Sequence, residues 1–80
     1  MSFVQHLPLN LLILRTAKRL SQEELANDIS CTYNCDVCQS TISRIEARRH
    51  VPNLSLVVHF ANYFGTTVDA LLSPPTAYLH

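Results

Sequence analysis

The sequence predicts an all-α fold of five helices, and three observations carry that prediction. Glycine occurs once, at position 65, and the four prolines lie near the ends or between segments, which leaves little material for tight strand-connecting turns. Apolar residues recur at spacings of three and four, the period of one helix face. Polar cap residues stand directly before several of these apolar stretches.

The first helix is expected from about Leu7 to Arg19, with Leu7, Leu11 and Leu14 on one stripe. Pro8 is tolerated in its first turn, where an amide would have no helical partner. The second begins at a clear signal: Ser21 as N-cap, Glu24 three residues on to complete a capping box, and Leu20 with Leu25 as a hydrophobic staple. Leu25, Ala26 and Ile29 form its buried stripe. A third helix runs from about Gln39 to Ala47, with Ile42, Ile45 and Cys38 facing inward. Asn53 or Ser55 caps a fourth that carries Leu54, Val57, Val58, Ala61 and Phe64 inward and ends at Gly65, a left-handed stop. Thr66 or Thr67 caps a short fifth helix through Leu72, and Pro74-Pro75 ends it. The 80 residues read as one domain, core about 7–72, with a short N-terminal arm and a C-terminal tail.

Composition narrows the function classes. Hydrophobic residues make up 48% of the chain, enough for a core and too many for a disordered segment. No apolar run approaches the length of a membrane span, and the start reads as no signal peptide, so a cytoplasmic protein with free thiols is expected. The net charge is zero, which argues against a nucleic-acid partner. The distribution softens that objection, because the six basic residues fall in three places: Arg15 with Lys18 and Arg19, then Arg44, then Arg48 with Arg49. A neutral protein can still present one basic face. Ser, His and Asp occur without a nucleophile motif, and His6, His50, His59 and His80 share no site-like spacing. Neither an enzyme nor a cofactor is expected.

The segments LRTAKRLSQEELA, QSTISRIEA and PNLSLVVHFANYFGTTVDALL resemble the phage-repressor (Cro/XRE-type) helix-turn-helix family over roughly Leu7 to Leu72. The resemblance implies a five-helix repressor-like DNA-binding domain whose third helix enters the major groove of double-stranded DNA. A helix used this way needs short polar side chains at its start and an apolar face behind, and Gln39-Ser40-Thr41 before Ile42 and Ile45 supplies both. Gln39 suits the edge of adenine, and Ser40 suits several bases. The family places Arg44 on a base as well. Thr41 and Ser43 are expected on phosphate or sugar, with Gln22 as the family's phosphate contact on the second helix. Arg48, Arg49 and Asn53 follow as backbone contacts that position without reading sequence. Arg15 and Glu46 occupy positions that in the family form a partly buried ion pair.

The chain departs from the short form of the family between the second and third helices, where NDISCTYNCDVC replaces a tighter turn containing glycine. The second helix is expected to continue to about Tyr33, with Asn34 in the left-handed position and Val37 buried. Cys31, Cys35 and Cys38 follow a C-x₃-C-x₂-C spacing. Their ordinary role is small-residue packing; a redox switch beside the third helix, or a zinc site with His50 as fourth ligand, are the alternatives.

By resemblance, the protein is a sequence-specific transcriptional regulator, a repressor that binds a two-fold operator as a homodimer. Tyr63, Val68, Leu71, Leu72, Tyr78 and Leu79 are the expected dimer surface. Leu9, Leu12 and Ile13, with Phe3 and Val4, form a second apolar candidate. The rival reading, motivated by the neutral charge and surplus apolar residues, is a protein-interaction module such as an antitoxin or an antagonist of another regulator.

Overall fold

The computed structural model describes residues 5–75. Among them are five α-helices and no strand: α1 (Leu7–Ala17), α2 (Gln22–Tyr33), α3 (Gln39–Glu46), α4 (Leu54–Phe64) and α5 (Val68–Leu72). The all-α, five-helix expectation is met in order. Phe3, Val4, Tyr78 and Leu79 lie outside the described residues.

α2 and α3 pack on each other, α1 lies across α3 and α5, and α4 rests on α2 and α5. Phe60 of α4 is the largest fully buried side chain, and Leu7, Leu11, Leu25, Ile29, Ile42, Ile45, Val57 and Leu71 are buried with it. Each such side chain contributes roughly 1.5–3 kcal/mol by leaving water. Burial on α4 is carried by Leu56, Val57, Phe60 and Ala61. That corrects the expected stripe: Leu54 and Val58 are 61% and 37% exposed. The run LSLVV is apolar on more than one face, so periodicity alone does not choose between neighbouring stripes. Leu71 needs a correction too, because it is fully buried and has no surface to give a partner.

Helix starts follow side-chain chemistry. Ser21 Oγ accepts from the Glu24 amide at 3.0 Å while Glu24 Oε1 accepts from the Ser21 amide at 2.8 Å. Asn53 caps α4 through the Leu56 amide, and Thr67 caps α5 through the Ala70 amide. The ends of α1, α2, α3 and α4 follow one backbone device. Arg19, Asn34, Arg48 and Gly65 all take positive φ, between 51° and 67°. After each, the next amide reaches back five residues: Leu20 to Arg15, Cys35 to Ser30, Arg49 to Arg44 and Thr66 to Ala61. The expected end of α1 at Arg19 therefore moves back to Ala17, because Arg19 is already in the left-handed turn. At Gly65 a Cβ would meet nothing within 4 Å, so the backbone angle is what favours glycine there.

The long α2–α3 link is held from inside. Ser30 Oγ donates to the Val37 carbonyl at 2.6 Å and accepts from the Val37 amide at 3.3 Å. Tyr33, at the end of α2, stacks on His59 of α4 with centroids 4.6 Å apart. Val37 is buried. One hydroxyl and one ring pair thus fix where α3 starts.

Asn10 of α1 is fully buried, and its Nδ2 donates to the carbonyls of Leu71 at 2.6 Å and Ser73 at 2.7 Å. Helix carbonyls at a C-terminus have no partner of their own. Asn10 supplies one and pins α5 against α1.

Candidate nucleic-acid interface

α3 divides its side chains cleanly. Ile42 and Ile45 are fully buried, while Gln39, Ser40 and Arg44 are exposed and Thr41 and Ser43 are half-buried. The three residues expected to meet bases therefore share the open side of one short helix.

Behind them runs a chain of polar contacts that starts in α1. Arg15 grips Glu46 with two bonds, Nε to Oε2 at 2.7 Å and Nη2 to Oε1 at 3.0 Å. Its third arm, Nη1, donates to the Leu20 carbonyl at 2.7 Å. The pair is largely buried, 12% and 8% exposed. Glu46 Oε1 also accepts from Gln22 Nε2 at 2.9 Å, and Gln22 Oε1 accepts from Gln39 Nε2 at 2.8 Å. The direction of this relay is forced by charge. A carboxylate paired with Arg15 only accepts, so Gln22 must turn its NH₂ to Glu46 and its oxygen to Gln39. Gln39 must then turn its own NH₂ inward. The Arg15–Glu46 pair is the one that the family resemblance implies; the two glutamine links that extend it to the start of α3 carry no signal at single residues in the sequence.

Cys38 is the N-cap of α3 and is exposed, which corrects its expected inward position. An extended cap residue points its side chain past the helix start, where Sγ lies 3.0 Å from Ser40 Oγ and 3.4 Å from Thr41 Oγ1. The Ser40 hydroxyl first, then that of Thr41, pulls the thiol pKa down to about 7. Alkylation of Cys38 by iodoacetamide, in a chain with Cys31 and Cys35 replaced by serine, is expected to be half-maximal near pH 7, since the thiolate is the nucleophile. A midpoint at the free-thiol value of about 8.5 would contradict the bonding at the cap.

The other two cysteines do not join Cys38 in a site. Cys31 is exposed, and Cys35 is half-buried with Sγ 3.7 Å from the Ile29 carbonyl. Among the described residues no three His, Cys, Asp or Glu side chains gather in a way that could hold a metal ion, so the zinc alternative with His50 is not formed. A shallow pocket of about 200 Å³ lies between the link and the start of α4, where Cys35, Asp36 and His59 form part of its wall.

Beyond α3, Arg49 and Asn53 are exposed, although Asn53 Oδ1 is committed to capping α4. Arg48 Nη1 donates to the Gln5 carbonyl at 2.9 Å. Gln22 is half-buried within the relay. The expected dimer set fares differently. Tyr63, Val68 and Leu72 are half-buried against the core. Tyr63 is further engaged: its hydroxyl donates to Asp28 Oδ2 at 2.6 Å and its ring lies under Lys18 Nζ at 5.6 Å. Burial and the Asp28 bond push its pKa up to about 12. Among the described residues the exposed large apolar side chains are Leu9, Leu12, Val51, Leu54 and Val58.

No described helix is long and apolar enough to cross a membrane. No curated protein and no solved structure matches the chain. Residues 10–73 match a family model described as a helix-turn-helix domain, a span that runs from the buried Asn10 to the Ser73 carbonyl it holds.

Proposed function

The chain belongs to the helix-turn-helix domain family, and from that membership we propose that it is a sequence-specific DNA-binding transcriptional regulator of the Cro/XRE kind, a repressor acting as a homodimer on a two-fold operator. The observation that carries this reading is the state of Gln39. It is exposed at the start of α3, and one N–H of its amide is held by Gln22. Its oxygen and second N–H have no partner within the described residues, and they are the acceptor and donor that the N6 and N7 edge of adenine requires. Ser40 and Arg44 extend the reading surface, and Arg49, with Nδ2 of Asn53, faces the phosphates beside it. Thr41, Ser43 and Gln22 flank the groove walls.

Selection of bound duplexes from a random pool tests the reading. An inverted repeat is expected, with half-sites roughly 34 Å apart. Gln39→Ala should then cost about 1–3 kcal/mol on the selected site and relax one base position. Equal weakening on every sequence would remove Gln39 from base reading, and retention of no duplex at low salt would remove the DNA partner altogether.

Leu71 is buried and drops out of the dimer set read in the sequence, and an exposed apolar face is the better candidate. Val51, Leu54 and Val58 are exposed around the α3–α4 loop, and no Lys, Arg, Asp or Glu occurs between Arg49 and Asp69. A two-fold contact sets a surface against its own copy, so an uncharged face meets no like charge.

One observation favours a second reading, a redox-responsive regulator. The acidified Cys38 thiol sits at the tip of the base-reading helix. Oxidation there would add a polar group where the groove edge must fit.

A further inference from the structure

Arg48 fits its backbone poorly. It sits at φ 64° in the turn that closes α3, where glycine is the unstrained choice. A residue in such a conformation persists where its surroundings require it. The helix-end turn supplies the requirement, through the Arg49 amide on the Arg44 carbonyl, and from that turn Nη1 donates at 2.9 Å to the carbonyl of Gln5, immediately before the cap of α1. The Arg15–Glu46 pair joins the same end of α3 to the last turn of α1. The C-terminal end of α3 is therefore tied to both ends of α1, at points about 15 Å apart along the axis at 1.5 Å per residue. Burial of Ile42 and Ile45 decides which face of α3 turns to the core. Two ties this far apart restrain what rocking remains at its C-terminal end, and with it how Gln39, Ser40 and Arg44 are presented.

We propose that Arg48 is a positioning residue for DNA reading: its bond to the Gln5 carbonyl steadies the C-terminal end of α3 on its core seat, and its contribution to binding passes through that seat instead of through charge on a phosphate. This rests on the DNA-binding reading above and replaces the phosphate contact expected for Arg48 from the sequence. Substitution by glycine separates the two roles, because glycine accepts the backbone angle and removes only the side chain.

The test compares the full-length protein with Arg48→Gly, Arg48→Asn and Arg49→Ala on one selected duplex over a series of salt concentrations. Asn is the second residue type that tolerates the left-handed region, and it guards against an effect particular to glycine. Both Arg48 variants should melt no earlier than the wild type and bind about tenfold more weakly at every salt concentration. Their slope of log K against log salt should stay at the wild-type value. Arg49→Ala should flatten that slope by roughly 0.9, the signature of one lost phosphate contact. In the free protein, ¹⁵N relaxation should show the Gln5 amide gaining fast motion when Arg48 is replaced. A slope flattened by roughly 0.9 with Gln5 unchanged, or unaltered affinity at every salt concentration, would overturn the proposal. A wild type that holds no duplex would overturn the DNA reading and this role with it. The Gln5 measurement needs no DNA, so it tells that failure apart from failure of the tie.

Discussion

Glu46→Ala is expected to lower the free energy of unfolding by about 3–4 kcal/mol, measured by urea denaturation. Removing the carboxylate leaves the Arg15 guanidinium, 12% exposed, with the Leu20 carbonyl as its remaining partner. An uncompensated charge so far from water is the expensive outcome, whereas replacing both members is cheap. Arg15→Met with Glu46→Leu should therefore recover most of what Glu46→Ala loses. A domain of this size holds only about 4–12 kcal/mol in total, so the single variant should melt far earlier. The consequence also reaches the candidate interface. Without Glu46, Gln22 loses the acceptor that orients it, and Gln39 loses the reason to turn its NH₂ inward. At temperatures where the variant stays folded, base discrimination at the Gln39 position should fall together with affinity. Full retention of stability in Glu46→Ala would show that the pair is no more than a surface contact.

The second large effect belongs to Asn10→Ala, for which we expect a loss of about 2–3 kcal/mol. The variant strips the carbonyls of Leu71 and Ser73 of their donor at a buried site, and each orphaned group costs about 1–3 kcal/mol. Asn10→Asp should be worse still, because it sets acceptor oxygens against acceptor carbonyls. Hydrogen exchange offers a finer check. The amides of α5 should lose protection before those of α2 and α3, since Asn10 is what pins the short helix. Simultaneous loss everywhere at unchanged midpoint would argue that α5 does not depend on Asn10.

What could be read in the chain and what could not follow a physical division. The start of α2 was legible because Ser21 and Glu24 signal locally, within one turn. The faces of α2 and α3 were legible because their apolar residues are few and fall on one stripe. α4 was harder, because LSLVV satisfies more than one stripe and only the position of Phe60 in the core decides among them. Helix ends were legible at Gly65 and Asn34, whose residue types announce positive φ. They were hidden at Arg19 and Arg48, where arginine, a residue type that does not announce positive φ, takes the same angle in the helix-end turn. No local signal marks Asn10, because its partners lie about sixty residues away. At the candidate interface, residue types on α3 could be read from order and spacing. The relay behind Gln39 could not, because each link joins different helices. Leu71 was misplaced for a related reason: in a five-residue helix, spacing cannot tell a core side chain from a rim one.

In the α2–α3 link one hydroxyl spans the two ends: Ser30 Oγ meets both the amide and the carbonyl of Val37. The start of α3 is thereby registered at Val37, independently of how many residues the chain spends getting there. Asn34, Cys35 and Asp36 form a detour whose length is uncoupled from the orientation of the reading helix. Such a detour is where sequence can be added at little cost to target choice. It makes this segment a natural place to graft a peptide tag, and the exposed Cys31 just before it a handle for a fluorophore.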